Sequence, residues 1–302
     1  MTYVIAEVGS NWQTLNDCLI SIKVAKDCAA DAVKFQLFSE REMFGTGFSY
    51  PDYGTSVKLP YLPPHWLHSL KAEADIVGID LMCTAFSVEG LRYVDQFVVA
   101  HKIASSDNTW PQLLQAAAAT GKETLLSTGA ASPNEIGAAK RFFKPEQVKL
   151  LYCVSAYPAA NVDLDGIPAL YDGFSDHTTG FGMAIEAHKR GAKYIEKHFT
   201  AFPKMQTPDR KHSLPPDRFK AMTAAIKGTQ EQDMYLRHNR RLVATAEVAI
   251  GEELRYGKTF GAYRSRGPDL RGLSPLRWQE VEGKTARVAM TAGQPIGEGD
   301  FS

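Results

Sequence analysis

Eight short β-type runs in this chain end in groups that can do chemistry. Glu7 closes Val4–Glu7, and Lys34 and Gln36 alternate along the next run, so both point to the same side. Thr84 follows the third run, and Lys102 lies within the fourth, with Ser105, Ser106 and Asp107 just beyond it. Ser127 and Thr128 end the fifth, immediately before an expected helix N-terminus of the kind that attracts anions. Tyr157 follows the sixth, Ser175-Asp176-His177 ends the seventh, and Glu196-Lys197-His198 ends the eighth. A lysine inside an apolar strand is expensive to desolvate unless it is paired, so Lys34 and Lys102 read as functional charges. His177 and His198 end consecutive strands. They offer two donors to one divalent ion whose other positions stay open for water or substrate, or else they form a neutral hydrogen-bonded pair.

Each of these residues also has a purely structural reading. Ser127 and Thr128 can cap the next helix, Asp107 can cap a turn, and Asp176 can accept from a backbone amide. Tyr157, before Pro158, can simply pack. His65, His68, His188, His212 and His238 fall on expected helix or loop surfaces and read as solvated, while His101 fits either reading.

The elements that must position these groups are parallel βα units. Strand patterns fall at Val4–Glu7, Val33–Gln36, Ile79–Cys83, His101–Ile103, Leu125–Ser127, Leu150–Cys153, Gly173–Ser175 and Tyr194–Lys197. Helical periodicity marks Asn16–Ala30, His65–Val77, Trp110–Thr120, Pro133–Phe143, Gly182–Arg190 and Pro215–Lys227. Ser132-Pro133-Asn134-Glu135 is a capping box with proline at the first helical position, and Thr109-Trp110-Pro111-Gln112 resembles one. Eight such units fit an α/β (β/α)8 TIM barrel, which typically needs about 250 residues. A doubly wound sheet is the weaker fit, because no G-x-G-x-x-G follows a strand. The Gly-, Pro- and Tyr-rich segment 43–64 is too long for an ordinary βα loop and reads as part of the rim above the second strand.

The 302 residues divide into a barrel over 1–230, a polar connector over 231–240 and a glycine-punctuated module over 241–302. Lys+Arg and Asp+Glu both total 34, which removes the broad basic surface that nucleic-acid binders use. From Arg237 onwards there are 11 Lys/Arg and 8 Asp/Glu, a net of +3, leaving −3 for the rest. So small a module is marginal alone and is expected to pack on a barrel. The first residues run straight into a strand pattern with no signal-like segment, and no apolar run reaches spanning length, so a cytoplasmic protein without a membrane partner is expected. Cys18, Cys28, Cys83 and Cys153 are widely spaced and read as reduced thiols.

Taken together, Ile5-Ala6-Glu7-Val8-Gly9-Ser10-Asn11, Asp31-Ala32-Val33-Lys34-Phe35-Gln36, Lys102-Ile103-Ala104-Ser105, Leu126-Ser127-Thr128-Gly129, Phe174-Ser175-Asp176-His177-Thr178 and Ile195-Glu196-Lys197-His198-Phe199-Thr200 resemble the sialic acid synthases. That family, with its legionaminate and pseudaminate branches, condenses phosphoenolpyruvate with an N-acylated amino sugar. The stretch from Arg240 to Ile296 is similar to its C-terminal antifreeze-like domain, of the β-clip or SAF type.

The resemblance implies a transferase. Lys34, Thr84, Lys102, Ser105, Ser127, Ser155 and Ser175 would hold the phosphate and carboxylate of phosphoenolpyruvate. Glu7, Gln36, Tyr157 and Asp209 would line the sugar pocket, and Asp107 would act as an acid/base or sugar contact. His177 and His198 would bind a divalent metal, Mn2+ or Mg2+. The enol carbon would attack the open-chain sugar aldehyde, water would add to the cationic carbon, and phosphate would leave by C–O cleavage. The resemblance also implies a domain-swapped homodimer in which Arg266 or Arg271 reaches the sugar from another subunit. The chain departs from the family pattern at Trp12 (usually histidine), Asp107 (commonly glutamate) and Ser155 (often asparagine). Two other classes compete with this reading: a Schiff-base aldolase using Lys34, Lys102 or Lys197, and a non-catalytic sugar-binding homologue.

Overall fold

The computed structural model describes residues 2–39, 61–228, 240–264 and 272–302. All eight expected strands form: β1 (Tyr3–Glu7), β2 (Ala32–Leu37), β3 (Asp80–Ala85), β4 (His101–Ile103), β5 (Thr124–Ser127), β6 (Val148–Tyr152), β7 (Gly173–Asp176) and β8 (Tyr194–His198). Each pairs in parallel with the next and β8 pairs back onto β1, closing a barrel with no free edge.

The two-residue side-chain period of these strands sorts them into two environments. Outward residues such as Val4, Ala6, Val33, Phe35, Phe174 and Ile195 join the large core beneath the helices. Inward residues Ile5, Ala32, Met82, Leu125 and Leu151 form a separate plug inside the barrel, with Tyr3 and Tyr194 packed against it. Glu7, Lys34, Thr84, Ser127 and Glu196 each lie two residues beyond one of these inward positions. They therefore form a polar floor on top of an apolar plug, at the C-terminal mouth of the barrel, where barrel enzymes carry their chemistry.

Among the described residues, the outer helices are α1 (Leu15–Asp27), α2 (Trp66–Val77), α3 (Val88–Val94), α4 (Pro111–Ala119), α5 (Pro133–Lys140), α6 (Gly182–Lys189) and α7 (Pro216–Lys227). The Ser132 capping box is present, with Ser132 N donating to Glu135 at 2.8 Å. A second box starts α1, where Thr14 N donates to Asp17 at 2.8 Å. The resemblance of Thr109–Gln112 to a third is corrected: the residue at the cap position of α4 is Trp110, whose side chain has no oxygen to accept from the first-turn amides, so the helix starts without a side-chain cap. Helix α5 does not begin until Pro133, so its N-terminus, already capped by Ser132, does not follow Ser127 and Thr128 directly. No helix follows β6. The stretch between β6 and β7 runs as turns and carries Tyr157 at the barrel mouth.

The chain splits into two compact units, Met1–Lys227 and Gly228–Ser302. In the second, β9 (Arg240–Ala244) and β10 (Phe260–Arg264) form an antiparallel pair, and α8 (Trp278–Val281) is a short helix. Leu242, Val248, Leu254, Phe260, Val281, Met290 and Ile296 give this unit an apolar core of its own. No helix among the described residues is long and apolar enough to cross a membrane. All four cysteines are buried as thiols.

Candidate active site

Two lysines and two glutamates are interlocked on the polar floor. Lys34 Nζ lies 2.7 Å from Glu7 Oε2, 3.6 Å from Glu196 Oε2 and 2.8 Å from the Thr84 hydroxyl that accepts from it. Lys102 Nζ lies 3.3 Å from Glu196 Oε1, which also accepts from Ser175 at 2.8 Å. Gln36 donates to Glu7 Oε1 at 2.6 Å. All four charged groups are buried. Removing each ion from water costs several kcal/mol even after relaxation, and packed apolar side chains would stabilise a barrel at least as well. Stability alone therefore does not account for this quartet.

Burial raises the Glu7 carboxyl; Lys34 opposes this and Glu196 adds to it, leaving the group up at about 7. Burial also works against ionised Glu196, but Lys102 and Lys34 outweigh it and bring the group down to about 2. For Lys34 the desolvation penalty is overcome by Glu196 and Glu7, which hold its ammonium above the ordinary lysine value. Glu196 and Glu7 thus supply the countercharge that these buried lysines need. Glu196 was not singled out from the sequence as a site residue. Its signal was available: it stands two residues before His198 on an inward-facing period, where a carboxylate has no apolar role.

Hydroxyls gather beside the lysines. Ser127 Oγ is buried without a hydrogen-bond partner, a costly state unless something else binds there. Asn108, also unforeseen, fixes that strand end by donating to Ser127 O at 3.0 Å and Gly129 O at 3.1 Å. Thr128 bonds back to Leu151 O and caps no helix. Ser105 and Ser155 share a 2.8 Å hydroxyl–hydroxyl bond at the same mouth. Asp107 is half-buried, accepts from Ser106 at 3.0 Å, and has its carboxyl raised by burial.

Imidazoles gather at the ends of β7 and β8. The His177 and His198 ring centres are 5.9 Å apart. Burial, reinforced by His198, takes the His177 ring down to about 4, and burial likewise lowers His198, so both are neutral at physiological pH. His177 Nδ1 lies 2.8 Å from Val154 O and must donate to that carbonyl, which leaves Nε2 as the nitrogen with a lone pair. The Tyr157 ring is tilted against that of His177, with their centres 4.2 Å apart. His212, expected to be solvated, is half-buried, with its ring 5.3 Å from Tyr157 and 6.4 Å from His198. Its place follows from the turn at Pro208–His212, which folds over the end of β8. His101 is a structural histidine at the other end of β4, bonded to Asp95 at 2.9 Å.

Asp209 reaches this side because the loops after β1 and β8 are laced together. Ser10 N donates to Asp209 Oδ2 at 2.8 Å, and Asn11 Nδ2 donates to Phe199 O and Ser213 Oγ while its Oδ1 accepts from Thr207. Gly9, at φ +54°, permits the approach, since a Cβ there would lie 2.3 Å from Asp209 Oδ2. Trp12 donates to Gly9 O and packs edge-on against Trp66, so it buttresses this loop as a core residue.

Lys197 faces away from the mouth. It is buried on the outer side of the barrel, 3.0 Å from Asp176 and 2.6 Å from the Thr178 carbonyl it donates to. Asp176 accepts from Thr178 N, its structural reading. Lys197 is thereby removed as a nucleophile. Arg266, Arg271 and most of segment 43–64 lie outside the described residues.

Among the described residues no cluster of three or more metal-ligating side chains is preassembled. The histidine pair nevertheless fits a divalent ion. Both rings are neutral, and His198 Nδ1 is buried without a hydrogen-bond partner. Two protein donors leave the remaining positions for water and substrate oxygens.

The NeuB family matches residues 21–234 of this chain. Pseudaminic acid synthase of Campylobacter jejuni is 30% identical, with 99% of this chain and 96% of that protein covered. N,N'-diacetyllegionaminic acid synthase of the same species is also 30% identical, over 94% of this chain and 96% of its own. The crystal structure of N-acetylneuraminic acid synthetase from Leptospira borgpetersenii, in complex with citrate, superimposes with a TM-score of 0.70 at 32% identity, covering 75% of this chain and 83% of that one. With sequence, barrel and mouth in agreement, the chain belongs to the NeuB family, the sialic acid synthase family, and is an enzyme of the transferase class.

Proposed function

We propose that the chain condenses phosphoenolpyruvate with an N-acylated amino sugar, releasing phosphate by C–O cleavage and forming a sialic-type 2-keto acid. The observation that carries this reading is the pair of glutamate-bound lysines, Lys34 and Lys102, and the unpartnered Ser127 hydroxyl, at the same mouth as two neutral imidazoles. An anion with two charged ends suits the lysines. Lys34, Lys102, Thr84, Ser105, Ser127, Ser155 and Ser175 supply ammonium and hydroxyl donors for its phosphate and carboxylate. The sugar is assigned to the rest of the mouth, against Gln36, Tyr157, Asp107 and Asp209. Glu7, poised at about 7, can hold or release a proton between the two substrates at neutral pH. A divalent ion, Mn2+ or Mg2+, would be held by His177 and His198 and would polarise the sugar aldehyde as a Lewis acid.

The aldolase reading is disfavoured. A Schiff-base lysine needs a depressed pKa, whereas Lys34 is raised and Lys102 is ion-paired. The test is phosphate release from phosphoenolpyruvate against a panel of N-acylated hexosamines, with and without chelation, and with borohydride as an imine trap. Metal-dependent phosphate release without trapping is expected. Trapped protein with pyruvate, or undiminished turnover in a verified metal-free preparation, would overturn the corresponding part of the reading.

A further inference from the structure

The nitrogen of His177 that can bind an ion is occupied. Its Nδ1 proton is committed to Val154 O at 2.8 Å, and its Nε2 lies 3.2 Å from the hydroxyl of Tyr157. A neutral imidazole tied in this way can only accept at Nε2, so the Tyr157 hydroxyl donates. The tyrosine ring centre is 4.2 Å from that of the imidazole with 33° between the planes, and 5.8 and 5.3 Å from those of His198 and His212. His177 is buried, whereas Tyr157 is 50% exposed at the mouth and follows a strand with no helix behind it. It therefore has solvent to swing into.

We propose that Tyr157 is a latch on the metal site: its hydroxyl caps the ligating Nε2 of His177 and must leave before a divalent ion can bind there. This rests on the reading of His177 and His198 as metal ligands. The capping bond stabilises the ion-free enzyme and so subtracts from the affinity for metal. The released hydroxyl, now at the mouth, becomes available to the sugar. Metal entry and sugar recognition would thereby share one side chain.

The test is calorimetric titration of Mn2+ into the substrate-free, full-length protein, comparing wild type with Tyr157→Phe and His177→Ala. Phenylalanine keeps the ring and deletes only the capping bond. The latch predicts that Tyr157→Phe binds Mn2+ more tightly by roughly two- to tenfold, the span of one net hydrogen bond, and that His177→Ala binds more weakly than wild type. Equal or weaker binding by Tyr157→Phe, with normal wild-type binding lost in His177→Ala, would overturn the latch and leave the metal reading standing. No Mn2+ binding by wild type, or unchanged binding by His177→Ala, would overturn both. A second measurement does not depend on any variant. Nitrogen NMR of the His177 ring should show Nδ1 still protonated, with the Nε2 resonance moving, when diamagnetic Mg2+ is added. An Nε2 resonance insensitive to saturating Mg2+ would overturn the reading of His177 as a ligand and the latch with it.

Discussion

Glu196 is the residue on which the charge balance of the mouth turns. Its two oxygens reach Lys34 at 3.6 Å and Lys102 at 3.3 Å, so its removal leaves two buried ammonium groups with only Glu7 between them. Breaking a buried pair from one side costs about 3–5 kcal/mol. Glu196→Ala should accordingly lose stability of that order in urea titrations, and adding Lys102→Met should restore part of it. Strictly additive losses would contradict the coupling. Lys102→Met alone should keep the fold, because Ser175 and Lys34 still engage Glu196. It should weaken phosphoenolpyruvate binding at least about tenfold, the scale of one hydrogen bond to a charged group, and unchanged affinity by calorimetry would remove Lys102 from the anion site. Glu7 carries a pH signature. Its carboxyl rises from 4.5 to about 7 on folding, so the folded protein binds that proton more tightly. The stability it contributes is present below about pH 4.5 and is lost as pH rises to about 7, by on the order of 3 kcal/mol. The difference in unfolding free energy between wild type and Glu7→Gln should therefore fall between pH 5 and 8. A flat difference would show that Glu7 titrates normally.

Loops rather than strands decide the precision of the site. Gly9 sits where a Cβ would collide with Asp209, and the barrel does not depend on that contact. Gly9→Ala should therefore cut kcat/KM at least about tenfold, as a displacement near 1 Å can cost about a hundredfold, with a smaller change in melting temperature. Loss of fold with retained specific activity in the soluble fraction would contradict this. The eight strands were legible in the sequence because period-two alternation and apolar runs suffice to define them. Helix α3 was missed because Val88–Val94 is too short to show periodicity, and its cap at Ser87 is a single residue. The lysines, hydroxyls and histidines of the mouth were also legible, since polar groups at strand ends have few structural excuses. What could not be read was pairing. That Glu196 neutralises two lysines, that Asn108 ties down the β5 end, and that His212 folds back beside Tyr157 all depend on register and loop path, which composition does not encode.

At the scale of the whole molecule, the described mouth residues all belong to the unit Met1–Lys227. The C-terminal unit has its own core and a net charge opposite to that of the rest of the chain. If its arginines serve another subunit, the protein should be a dimer by light scattering. Mixing inactive Lys102→Met with an inactive Arg266→Ala or Arg271→Ala variant should then restore partial activity. A monomer at assay concentration would contradict a shared site. The central claim, condensation of phosphoenolpyruvate with C–O cleavage, is tested most directly by the fate of its bridging oxygen. Phosphoenolpyruvate labelled with 18O at that position would be incubated with Mn2+, an N-acylated hexosamine and the enzyme, and the products weighed by mass spectrometry. The account predicts that the label leaves with phosphate while an unlabelled nine-carbon 2-keto acid forms. Label retained in the keto acid, or no condensation product across the sugar panel, would contradict it.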